Sequence, residues 1–67
     1  MGEEVLYTKK EKNVLDLLAT GKMDTEIAEE LGLSTNTIKT HVKNIYKKLG
    51  VRNRVEAAIK HRIDNAK

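Results

Sequence analysis

The chain has 67 residues, enough for one small domain (1–67, core about 7–64), and no apolar run near the ~18 residues of a membrane span. It contains no Cys, Pro, Trp or Phe and four Gly, which excludes disulfide staples and thiolate metal sites and suits helices joined by short turns. The net charge is only +3, yet residues 1–33 carry net −4 and residues 34–67 net +7, a split that fits either a polyanion-binding surface or an ordinary solvated basic face.

A first helix is predicted from Thr8, because Thr8-Lys9-Lys10-Glu11 has the form of a capping box. Val14, Leu15, Leu17 and Leu18 supply its apolar stripe, and Gly21 stops it after Thr20. A second, short helix is predicted over Asp24–Leu31, with Asp24 as its cap and Ile27, Ala28 and Leu31 on one side. Gly32 can take the left-handed conformation that ends it, and Leu33 can fold back as a plug. Ser34 caps a third helix over Thr35–Leu49, whose inward face is Ile38, Val42, Ile45 and Leu49. Gly50 ends that helix, with Val51 packing back. Asn53 and Glu56 resemble another capping box, opening a fourth helix over Arg54–Asp64. Residues 1–6 and 65–67 read as frayed ends. The fold class expected is all-α, a compact four-helix domain with a central helix-turn-helix.

The short helix, the glycine turn and the longer helix form that motif: Glu26-Ile27-Ala28, then Gly32-Leu33-Ser34, then Thr37-Ile38-Lys39. Ala28 is small where the two helices must cross closely, and Gly32 permits the turn. This geometry places Thr35–Leu49 in a DNA major groove, N-terminal part nearest the bases. At ~100° per residue, Val42, Ile45 and Leu49 fall within roughly 40° of Ile38. Asn36, Thr40, Lys43 and Lys47 fall on the opposite side, with Lys39 and Asn44 on its flanks. These are amide, hydroxyl and ammonium groups suited to base edges and phosphates. No carboxylate lies between Glu30 and Glu56, whereas a merely solvated helix face mixes both signs.

From Tyr7 to Lys60 the chain resembles the LuxR-type DNA-binding domain, also called the GerE type or the NarL/FixJ response-regulator output domain. The resemblance is carried by Thr8, Glu11, Val14-Leu15, Leu18, Gly21, Glu26-Ile27-Ala28, Leu31, Leu33-Ser34, Thr37-Ile38-Lys39, His41, Asn44-Ile45, Lys48-Leu49-Gly50-Val51, Arg54 and Ala57. Its most specific part is the Lys-Leu-Gly-Val close.

The resemblance implies a bacterial, cytoplasmic transcription regulator that binds double-stranded DNA in sequence-specific fashion. Its third helix would read the major groove through Lys39, Thr40 and Lys43, to which the projected face adds Asn36. The implied phosphate contacts are Thr37, Asn44 and Lys47, with Ser34 and Thr35 at the helix N-terminus. Two departures stand out. Lys10 replaces the family's usual Arg and loses bidentate pairing, weakening a structural ion pair there. Thr25 replaces a frequent Lys or Arg and reduces a phosphate contact to a hydroxyl bond.

In the fourth helix Ala57, Ala58 and His61 can face the core, while Val55, Ile59 and Ile63 form a further apolar stripe. The resemblance implies dimerisation through this helix, so Val55, Ile59, Arg62 and Ile63 are the expected interface of a homodimer on DNA. RNA polymerase is a further partner consistent with that role. His41 and His61 lie 20 residues apart with no Cys, and no Asp or Glu is placed in sequence to complete a site with both, so no catalytic or metal site is expected; the resemblance makes His41 structural or phosphate-proximal. No cofactor, small-molecule ligand, membrane contact or enzymatic activity is expected. Two other readings remain open: a helix-turn-helix used for protein binding, as in an antiactivator or dimerisation module, and region four of a sigma factor, which shares Glu-Ile-Ala and Ser-x-x-Thr but not the Lys-Leu-Gly-Val close.

Overall fold

In the computed structural model, which describes residues 7–65, Thr8 opens α1 (Lys9–Ala19) with the expected reciprocal cap. The Glu11 N–H donates to Thr8 Oγ1 and the Thr8 N–H to Glu11 Oε1, each at 3.1 Å. The helix ends at Thr20, whose N–H reaches Leu17 and Leu18 carbonyls, and Gly21 follows at φ +95°. The remaining helices are α2 (Asp24–Leu31), α3 (Thr35–Leu49) and α4 (Arg54–Asn65). Among the described residues there is no strand, and the architecture is the expected all-α four-helix one.

Two caps differ from expectation. Met23, not Asp24, precedes α2 as its cap, and its N–H donates to Glu26 Oε1 at 2.8 Å. The Asp24 carboxylate is drawn instead to Arg54, whose Nη2 donates to Oδ1 at 3.0 Å. A guanidinium offers a charge-assisted bond that a lone cap amide cannot match. At α4 only half of a capping box forms. Asn53 Oδ1 accepts the Glu56 N–H at 2.9 Å, while Glu56 Oε1 reaches past Asn53 to the Arg52 N–H at 2.8 Å. The frayed ends expected at 1–6 and 66–67 lie outside the described residues, and residue 65 continues α4.

The turn between α2 and α3 follows from one glycine. Gly32 stands at φ +69°, a backbone conformation that costs residues with a Cβ, and lets the Leu33 N–H return to the Ala28 carbonyl at 2.9 Å. Leu33 thereby packs on the core. That core is Val14, Leu15 and Leu18 of α1, Ile27 and Ala28 of α2, Ile38, Val42, Ile45 and Leu49 of α3, and Ala57 of α4. All four residues predicted for the inward face of α3 are buried.

α4 contributes one fully buried side chain, Ala57. Its docking is supplemented by polar ties: Lys60 Nζ to the Leu49 carbonyl at 2.8 Å, His61 Nε2 to Asp16 Oδ1 at 3.0 Å, and Arg54 to the Lys22 carbonyl and Asp24. Small residues let this helix approach closely but bury little area, so hydrogen bonds and ion pairs fix its position.

Among the described residues Glu11 is the buried charge, 5 % exposed. The structural ion pair of this region is made to Glu11 by Lys48 from the last turn of α3, not by Lys10. The Lys48 ammonium also lies 5.8 Å from the Tyr7 ring centre. The Lys48 hydrogen bond, then the Thr8 N–H, hold the Glu11 carboxyl below its ordinary value of 4.5 against the opposing effect of burial. Because the folded state binds the Glu11 proton less tightly than the unfolded state, its contribution to stability is present above pH 4.5 and is lost as pH falls through the lower folded value. The urea midpoint of the wild-type chain should therefore fall on acidification below that point. Glu11→Gln should start lower and lose this part of the pH dependence; an unchanged acid limb in the variant would show that Glu11 does not carry it.

Candidate nucleic-acid interface

Ser34 sets the start of α3. Its Oγ accepts the Thr37 N–H at 3.1 Å and shares a 2.8 Å hydrogen bond with the Thr37 hydroxyl. Thr35 and Asn36 are in the first helical turn, where N–H groups have no acceptor inside the helix. The positive end of the helix dipole thus coincides with the hydroxyls of Ser34, Thr35 and Thr37 and with free amides, a setting that favours an anion.

Along the outward face, Asn36, Lys39, Thr40, Lys43 and Lys47 are exposed, while Thr35, Thr37 and Asn44 are half-buried and Ser34 is exposed at the cap. All nine residues singled out from the sequence thus sit on α3 or at its cap. Among the described residues Lys39, Lys43 and Lys47 make no ion pair. Lys48, one residue on, turns the other way to Glu11. Three uncompensated ammonium groups spaced by four residues make one side of α3 positive, which suits it to a polyanion.

Two residues not singled out join this face. Arg54 and the half-buried Tyr46 line a shallow groove with Asp24, Val42, Lys39 and Lys43. Burial raises the Tyr46 phenol above its usual range, with Asp24 adding and Arg54 opposing. No sequence signal exposed this grouping, since Arg54 and Asp24 are 30 residues apart.

On α4, Val55, Ile59 and Ile63 are 65 %, 53 % and 59 % exposed, an unusual exposure for large apolar side chains on successive turns. Arg62 is exposed beside them, and Val55, Ala58, Ile59 and Arg62 border an open groove against Leu18, Ala19 and Gly21 of the α1 end. Of the two histidines, His61 is committed to Asp16 and His41 is half-buried near enough to Glu11 to help lower its carboxyl. Among the described residues, no helix is long and apolar enough to cross a membrane.

A family profile described as bacterial regulatory proteins, luxR family, matches residues 5–61. The chain is 46 % identical over 55 residues to the CsgBAC operon transcriptional regulatory protein of Escherichia coli (strain K12), covering 82 % of this chain and 26 % of that protein. It is 48 % identical over 52 residues to the transcriptional regulatory protein LiaR of Bacillus subtilis (strain 168), covering 78 % of this chain and 25 % of that protein. It is also 48 % identical over 50 residues to the HTH-type transcriptional regulator MalT of Yersinia pestis (strain Pestoides F), covering 75 % of this chain and 6 % of that protein. The chain thus spans about a quarter or less of the length of these relatives. With a Gly32 turn between two packed helices and a profile match over most of its length, the chain belongs to the luxR family of bacterial regulatory proteins and carries that family's helix-turn-helix DNA-binding domain.

Proposed function

We propose that the chain binds double-stranded DNA in sequence-specific fashion as the reading domain of a cytoplasmic transcription regulator, with α3 in the major groove. Asn36, Lys39, Thr40 and Lys43 face base edges, and Ser34, Thr35, Thr37, Asn44 and Lys47 hold phosphates. Two copies pair across a two-fold axis through Val55, Ile59, Arg62 and Ile63 of α4, presenting two reading helices to an inverted repeat. RNA polymerase is the further partner of such a regulator. The carrying observation is the outward face of α3, where Lys39, Lys43 and Lys47 stand exposed in a stretch without a carboxylate from residue 31 to residue 55. A protein-binding use of the motif would be served by charges of both signs and would not need a lysine stripe along one helix.

Selection of bound duplexes from a random pool, followed by affinity measurement against salt, tests this reading. The expected outcome is an inverted repeat, with log affinity falling by roughly 0.9 per log unit of salt for each phosphate neutralised. A lone half-site would remove the α4 pairing. Failure to bind any duplex at low salt would remove the DNA reading altogether.

A further inference from the structure

One exposed hydroxyl on the outward face of α3 has its proton already committed. Thr40 Oγ1 donates to the Asn36 carbonyl oxygen one turn back, at 3.1 Å, a bond that threonine makes readily within a helix. A hydroxyl has a single proton. Ser34 and Thr37 share one hydrogen bond between their two hydroxyls, so that pair retains a proton for an outside acceptor. Thr40 retains none. Its outward surface consists of the Cγ2 methyl and the lone pairs of Oγ1.

The two exposed lysines beside it have the opposite character. Lys39 precedes it, Lys43 lies three residues on, and both carry only donors. Guanine presents two acceptors in the major groove, N7 and O6, which the lysines can satisfy and the inward-bonded Thr40 cannot. The apolar group that a base presents there is the C5-methyl of thymine, for which a threonine methyl is a suitable contact.

We infer that Thr40 is a thymine-specifying residue that acts through its methyl group, an inference that rests on the DNA reading above. Lys39 and Lys43 select acceptor-rich bases on either side of it. The division of roles comes from the helix itself: the Asn36 carbonyl removes the donor that would have let Thr40 compete for guanine.

The test uses the 67-residue chain, its Thr40→Val and Thr40→Ser variants, and the duplex recovered from the random pool, intact and with each thymine replaced in turn by uracil. Uracil lacks only the methyl. The wild-type chain should lose roughly fourfold in affinity at one thymine of each half-site, the equivalent of one buried methyl group. Thr40→Val, which keeps that methyl, should retain the wild-type preference for thymine over uracil. Thr40→Ser should bind the thymine and uracil duplexes equally. A fourfold or greater loss by Thr40→Val on the intact duplex would show the hydroxyl bonding outward and overturn the inference. So would a uracil effect indifferent to residue 40, or none at any position. Those outcomes leave DNA binding standing, whereas recovery of no duplex at all overturns the underlying reading together with this one.

Discussion

Replacing Ile45 by Ala should remove most of the domain's stability. Ile45 is 0 % exposed, at the middle of α3, where it packs into the cluster that α1, α2 and α4 share with this helix. Truncating a fully buried Ile to Ala costs about 2–5 kcal/mol, the sum of lost transfer energy and the cavity left behind. A domain of this size holds only about 3–5 kcal/mol of net stability, so the loss is comparable to the whole. Thermal melts followed by circular dichroism should show a midpoint at least ~10 °C lower, at several degrees per kcal/mol for small domains. Ile59→Ala is the internal comparison: Ile59 is 53 % exposed on α4, and its truncation should fall within about 0.5 kcal/mol of wild type. Equal effects at the two positions would contradict the placement of the core.

The second large effect concerns binding. Lys43→Ala should weaken the preferred duplex by ~1–3 kcal/mol and relax preference at one base pair, because an ammonium directed at guanine acceptors distinguishes one base from another. Lys47→Ala should weaken all duplexes alike and reduce the salt slope by about one, as loss of a phosphate contact does. Both side chains are exposed and take part in no ion pair among the described residues, so neither substitution should disturb the fold. Selection repeated with each variant separates the two roles. Uniform loss in both would place Lys43 on the backbone of the duplex rather than on its bases.

The helices were legible because their signals are local. Thr8 with Glu11, Ser34 before α3, and Gly32 and Gly50 at positive φ are each decided within four residues of chain. The inward face of α3 was legible for the same reason, since a period of 3.6 residues puts Ile38, Val42, Ile45 and Leu49 on one side whatever they pack against. That periodicity also fixed which lysines face outward. The exposed stripe on α4 could be read as surplus apolar surface, because one narrow helix can bury only one face.

Where local preference competed with a distant partner, the chain alone misled. Asp24 is a good cap by type, yet Arg54, brought alongside by the docking of α4, claims its carboxylate and leaves the cap to Met23 and Glu26. Glu11 was read only as part of its own helix cap, yet Lys48 from 37 residues away also takes its carboxylate in a buried pair. The sequence by itself determined where the helices begin and end, which side of each is apolar, and that one side of α3 is free of acids, all consequences of short-range backbone and side-chain geometry. Tertiary structure alone decided which charges are spent on internal partners, since Coulomb and hydrogen-bond partners depend on distance through space and not on separation along the chain.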